Sequence, residues 1–265
     1  MTRQHPTAVV DPGAKLGSEV EIGPFCVVGP EIELGDRCRL HSHVVVTGVT
    51  KIGTDCEIFP FASIGHIPQD MKYGGEKSRL EIGDHNIIRE YVTINPGTEG
   101  GGMVTRVGSH CLLMAQAHIA HDCQLGDNVI MANGATLAGH CIVGDFAILG
   151  GLSAVHQFVR IGEHAFVGGM SGVENDVIPF GMIVGTRANL KGLNVIGIKR
   201  QGLTRDQLRK LREAYDLLFA EKGTLVERVD EVANAFPDEE CVERVLDFIR
   251  SDSSRSLSVP KASSA

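Results

Sequence analysis

The sequence predicts a mainly β protein, a left-handed parallel β-helix of hexapeptide repeats followed by a C-terminal α-helical domain. Three observations carry this. From Val107 to Ile178 a six-residue pattern runs unbroken, with an apolar residue in every first place, from Val107, Leu113 and Ile119 to Val173. The fifth place is small or β-branched throughout: Cys111, Ala117, Cys123, Val129, Ala135, Cys141 and onward to Val177. Composition agrees, because 32 glycines, no Trp and 5% aromatic residues suit a slim prism with no room for large rings. A period of six fits neither an amphipathic helix nor an alternating strand. Three hexads make one triangular coil, so residues 18 apart stack, spaced by roughly 4.8 Å as neighbouring strands are. The first place fills the axis, the fifth sits inside a corner, and Gly in the second suits positive φ or close backbone approach.

The prism is expected over residues 1–185. Gln4-His5-Pro6 opens a polar end coil, and first places then recur from Val10, Leu16 and Ile22 to Ile58 and Ile64. Residues 66–79 break the frame with Pro68 and the Gly74-Gly75 pair, which reads as a loop thrown from a corner. It carries Asp70, Lys72 and Tyr73, and loops on rigid scaffolds often supply binding groups. The frame resumes at Ile82, Ile88 and Ile94, then shifts across a second loop, 97–106, which is either a tolerated insertion or functional. Beyond Pro179 the pattern fades into a helical segment, 186–251. A short helix is expected over Leu190–Gln201. Thr204-Arg-Asp-Gln207 and Thr224-Leu-Val-Glu227 are capping-box starts, with Gly223 between them, and a last helix spans Pro237–Arg250. These helices cover the open edge of the last coil. The Ser-rich stretch 252–265 is expected to be disordered.

Several function classes fall away. A net charge of −8 argues against nucleic acid as partner. Six of the seven cysteines take the fifth place, so they read as buried apolar fillers rather than a disulfide or metal framework. Reduced thiols, a polar N-terminus without a signal peptide and no long apolar run point to a cytoplasmic protein without a transmembrane segment.

The stacking period gathers distant polar residues. Ala120, Ala138 and His156 share a column; so do His121, Gly139 and Gln157, and Asp122, His140 and Phe158. His118 lies just before this corner. A lone corner histidine is usually a solvated polar residue, but several with an Asp and a Gln on adjoining coils suggest chemistry. One option is zinc held by neutral imidazoles, as in proteins resembling the γ-class carbonic anhydrases, although their His-x4-His pair is missing. The other is a histidine general base, a carboxylate orienting it and a backbone N–H holding an oxyanion, which is acyl transfer to an alcohol. A prism without chemistry is the third.

Ala117-His-Ile-Ala-His-Asp122, Leu137-Ala-Gly-His140 and Ala154-Val-His-Gln-Phe158 closely resemble the acyl-[acyl-carrier-protein]–UDP-N-acetylglucosamine O-acyltransferases of lipid A biosynthesis. Gln69-Asp-Met-Lys-Tyr73 and Gly197-Ile-Lys-Arg200 extend the resemblance over nearly the whole chain. It implies transfer of a 3-hydroxyacyl chain from acyl carrier protein to the 3-hydroxyl of UDP-N-acetylglucosamine, with no cofactor and no metal, in a homotrimer. It implies that His121 is the base, that Asp122 supports it and that the Gly139 N–H holds the oxyanion. His118, His140, His156 and Gln157 would line the groove, Asp70 and Lys72 would contact the sugar, and Arg200 would meet the phosphates. Gly169 matches the position that limits acyl length. Arg187, Lys191 and Lys199 would form a basic rim for the acidic carrier. Where the family has a histidine after Thr-Ile this chain has Asn95, where it has an acidic residue in the first C-terminal helix this chain has Ile196, and its arginine pair is Arg200-Gln201. These departures bear on nucleotide binding and on the choice between the sugar and its 3-amino analogue. A related acyltransferase using acyl-CoA is the alternative.

Overall fold

The computed structural model describes residues 2–200, 202–251 and 253–261. Three parallel sheets form the sides of a triangular prism. Sheet A runs from Arg3–Gln4 to Gly181–Val184 and gains an antiparallel strand, Asn189–Leu193. Sheet B runs from Val9–Val10 to Gly172–Val173, and sheet C from Lys15–Leu16 to Arg160–Ile161. Residues 18 apart pair, as His118 does with Thr136 and Thr136 with Ala154. The apolar first and fifth places fill the axis, from Val20 and Ile22 to Val167 and Val177. This is the β-helix expected from the period.

The step lengthens twice, in all three sheets: in sheet A Ile58 meets Ile88, and Ile88 meets Leu113. The extra residues leave at one edge, between sheets B and C, where the strands Ser63–Ile64 and Thr93–Ile94 end. The second loop rejoins sheet C at Val104, earlier than expected.

Corner geometry decides between the two readings of the second-place glycines. The left-handed residue is the fourth of most hexads and is rarely glycine: Asp122 has φ 60°, His140 62° and Phe158 65°. Glycine in the second place answers instead to close approach, since a Cβ on Gly35 would fall 2.5 Å from the carbonyl carbon of Gly53 in the next coil. The edge between sheets C and A is tied by a column of aspartates. Asp36 Oδ1 accepts the Ser18 N–H at 2.7 Å, Asp127 that of Ser109 at 2.7 Å and Asp145 that of Asp127 at 2.9 Å. All seven cysteines are free and buried. Burial pushes the Cys111 thiol up to about 11.

Four helices follow: α1 Val195–Arg200, α2 Arg205–Leu218, α3 Leu225–Ala235 and α4 Glu240–Arg250. Both capping boxes form, on Thr204 with Gln207 and on Thr224 with Glu227. Leu208, Leu211, Leu218, Val232, Val242 and Leu246 bury Ile178 and Phe180 at the end of the prism. Two expectations change. Residues 190–193 form a strand, not helix, because buried Leu190 and Gly192 (φ 126°) continue sheet A after the turn at Gly185. Residues 253–261 of the stretch expected to be disordered lie against the prism, with bridges from Asp176 to Leu257 and from Leu190 to Pro260. The Ser256 carbonyl and the Ser258 N–H satisfy the backbone N–H and carbonyl of Asp176 in the last coil. Gln201, Asp252 and 262–265 lie outside the described residues. Among the described residues no helix is long and apolar enough to cross a membrane.

Candidate active site

The interrupted B/C edge carries the histidines. Sheet B ends at His118–Ile119, Thr136–Leu137 and Ala154–Val155, and the next residues of each coil turn that corner. His121 and Asp122 lie on one coil, Gly139 and His140 on the next, His156 and Gln157 on the third. The period-derived columns hold: the Phe158 N–H donates to Gly139 O at 3.1 Å, and the His140 ring stacks on Phe158 at 4.4 Å between centroids.

At its centre His121 Nδ1 lies 2.9 Å from Asp122 Oδ2. The Asp122 side chain is fully buried and that of His121 is 7% exposed. An ionised carboxylate only accepts, so Nδ1 carries the proton and Nε2 keeps its lone pair. Asp122 is itself held: Thr98 donates its N–H to Oδ1 at 2.9 Å and its hydroxyl to Oδ2 at 2.6 Å. Thr105 Oγ1 accepts the Asp122 N–H at 2.7 Å. The second loop closes tightly beneath, since a Cβ on Gly101 would fall 1.9 Å from Asp122 Cγ. Above, a Cβ on Gly139 would fall 2.5 Å from His121 Cε1 and 2.6 Å from Nε2. Gly139 is thus required by the ring packed on it. Its N–H donates no hydrogen bond among the described residues, leaving a free donor beside the Nε2 lone pair.

His140 meets His121 edge-on at 4.9 Å, and its Nδ1 lies 3.9 Å from Asp122 Oδ2. Burial lowers its pKa, opposed by the Asp122 charge, with smaller influences from the charges of His121, Asp70 and Lys72. Asp70 Oδ1 accepts the Lys72 N–H at 3.0 Å. Half-buried His118 shares a 2.6 Å hydrogen bond with Thr93 Oγ1, and burial lowers its pKa too. Asn95, buried one coil below, donates its amide to the His66 carbonyl at 3.0 Å and so ties the first loop down.

Two expected residues lie elsewhere on the same chain. Gly169 is on the edge between sheets A and B. Arg200 ends α1 beside a cavity of about 320 Å³ lined by Phe146, His164, Asn194, Ile196 and Gly197. The sequence reading missed Thr98, Gly101 and Thr105, although the second loop's place in the frame marked it for attention. His121, Asp122 and His140 offer ligand atoms within 4.8 Å of one another, so a metal ion is geometrically possible. The Asp122 oxygens, however, already accept from Thr98 and His121. These bonds leave His121 Nε2 as the ring nitrogen without a hydrogen-bond partner among the described residues.

The chain is similar to known proteins over nearly its whole length. Residues 176–258 match a family model described as UDP-N-acetylglucosamine O-acyltransferase, domain 2. Residues 7–48 and 105–139 match the bacterial transferase hexapeptide repeat. The chain is 52% identical over 253 residues to an acyl-[acyl-carrier-protein]–UDP-N-acetylglucosamine O-acyltransferase of Rickettsia canadensis (strain McKiel), covering 96% of each. It is 53% identical over 255 residues to the protein of that name in Azorhizobium caulinodans, covering 96% of this chain and 94% of that one. The solved UDP-N-acetylglucosamine O-acyltransferase of Moraxella catarrhalis RH4 superposes with a TM-score of 0.93 at 42% identity, over 96% of this chain and 98% of that one.

Proposed function

The chain belongs to the acyl-[acyl-carrier-protein]–UDP-N-acetylglucosamine O-acyltransferases and is an acyltransferase, and from that premise we propose how its own residues carry the reaction. The acceptor is UDP-N-acetylglucosamine and the donor a 3-hydroxyacyl thioester of acyl carrier protein, in the first step of lipid A biosynthesis. His121 Nε2 takes the proton of the sugar 3-hydroxyl as its oxygen attacks the thioester carbonyl. The new C–O bond gives a tetrahedral oxyanion, which the free Gly139 N–H holds. Collapse breaks the C–S bond, and the proton passes from His121 to the departing thiolate. Asp122 keeps the ring in the right tautomer and stabilises the imidazolium formed. The observation that carries this is the Thr98–Asp122–His121 relay ending in a lone pair beside an unused backbone N–H.

His118, His140, His156 and Gln157 line the groove, and Asp70 and Lys72 reach the sugar from the first loop. Arg200 and Gly169 stand off this edge in one chain, which supports a homotrimer in which a neighbouring copy supplies them. Arg200 then contributes the phosphate contact, with its cavity receiving the nucleotide, and Gly169 leaves depth for a long acyl chain. Exposed Arg187, Lys191 and Lys199 offer a basic rim to the acidic carrier despite the overall charge of −8. The buried free thiols fit a reducing cytoplasm. The test is acyl transfer to UDP-N-acetylglucosamine with carrier-protein and CoA donors side by side, for the protein and for His121→Ala. Transfer from the carrier that is lost in the variant supports the proposal. Equal use of CoA, or an active variant, overturns it.

A further inference from the structure

Resting on the reading of the B/C edge as the acyl-transfer site, we propose that Arg255, in the C-terminal tail, is a positioning residue that fixes His156 as its neutral Nε2–H tautomer and so makes it an N–H donor to bound substrate. The tail is anchored from the prism. Asp176, fully buried, pairs with Arg160 at 2.7 Å and accepts the Ser253 hydroxyl at 2.6 Å. Its backbone takes the Ser258 N–H at 2.8 Å and gives its own N–H to Ser256 O at 2.9 Å. Arg160 also donates to Ser251 Oγ at 2.6 Å and lies over the Phe248 ring at 4.4 Å, so helix α4 and the tail meet the prism at one buried charge pair.

From that fixed strip Arg255 reaches back across the edge. Its Nη2 lies 2.6 Å from His156 Nδ1, and its Nε donates to the Gln157 carbonyl at 2.9 Å. The second bond sets the guanidinium plane and hence the direction of the first. The Gln157 carbonyl also lies 3.5 Å from His156 Nδ1, but the guanidinium, with five donors and no acceptor, is far nearer at 2.6 Å, so Nδ1 accepts and the ring's single proton sits on Nε2. His156 is exposed, so that N–H is available one coil above His140. His121 and His156 are thereby given opposite tautomers on one edge, a carboxylate making the first an acceptor and a guanidinium making the second a donor. The tail, for which composition suggests no role, becomes part of the site's wall.

Nitrogen-15 NMR of the histidine-labelled protein reads the tautomer directly. The expected spectrum has His156 protonated at Nε2 in the natural protein and shared between both nitrogens in Arg255→Ala. A proton on Nδ1 in the natural protein, or no change in the variant, overturns the proposal. In the transfer assay Arg255→Ala should lower kcat/KM about tenfold, the size of one hydrogen bond, with partial recovery in Arg255→Lys. Added to His156→Ala, Arg255→Ala should cost nothing more, whereas losses that multiply would show that Arg255 acts independently and overturn it. Should Arg255→Ala fail to fold, the natural protein's spectrum and Arg255→Lys still decide. A natural protein that transfers no acyl group refutes the enzyme reading, while the tautomer stands or falls on its spectrum.

Discussion

Two edges of the same prism use the same residue types to opposite ends. Along the C/A edge the coils follow without interruption, and Asp36, Asp127 and Asp145 each bind a backbone N–H of the neighbouring coil. Along the B/C edge both loops break the period, and Asp122, besides accepting the Thr98 N–H from the second loop, holds the His121 ring. One register separates the roles. The C/A aspartates stand in the third place of the hexad, whereas Asp122 stands in the fourth, at φ 60°, with its side chain fully buried against Thr98 and His121. The C/A carboxylates tie coils together; the B/C carboxylate ties the second loop at Thr98 and also serves the His121 side chain. Uniform hydrogen bonding builds height, and interruption makes room for chemistry.

That contrast can be broken at several points. His121→Ala should lower acyl transfer by about 10²–10⁴-fold, the usual share of a general base, while leaving thermal stability nearly unchanged. A melting point that fell along with activity would make His121 a strut like the C/A residues. Gly139→Ala comes next: its methyl group would fall 2.5 Å from His121 Cε1, and displacing the ring should cost about a hundredfold in kcat. Normal turnover there would place the acting nitrogen elsewhere. On the opposite edge Asp127→Ala should destabilise by about 1 kcal/mol through the lost bond to Ser109, with kcat unchanged. Urea melts and initial rates on one preparation separate the two effects.

The smallest effect concerns pH. Burial holds His118 below its ordinary value of about 6.5. Between the folded and unfolded values the unfolded chain binds the extra proton. Stability is therefore full at neutral pH, declines as pH falls through about 6.5, and levels off below the folded value. His118→Gln should flatten that decline in melts between pH 7 and 5. An unaltered slope would assign the acid sensitivity to His140 and His164, whose pKa values burial also lowers.

Much of this was legible without coordinates because a six-residue period is a geometric instruction. It located the axis, the cysteines, and the columns holding His121, Gly139 and His140. The loops' common edge could be counted from the frame. What they do inside could not, since Thr98 and Gly101 reach Asp122 from outside the repeat and no period predicts their contact. Thr105 faces the core where an apolar residue is expected, which is a signal only once its partner is known. The tail misled for a plain reason: serine-rich composition speaks of weak burial, but Leu257 and Ser258 needed only one open backbone edge to bind. Residues 190–193 read as helix because the strand's partner, Gly181–Val184, lies across a turn and leaves no local trace.

The 18-residue step has a consequence for how such a molecule can change. Each storey offers the same row of donors and acceptors above that it accepts from below, so Glu21 is already placed as Arg39 is. Excising 22–39 would join Glu21 to Leu40 in register and shorten the column by one floor, with every side chain above it still facing the same wall. Height and chemistry are therefore inherited separately: lineages can lengthen or trim the shaft in whole storeys while the working corner stays intact.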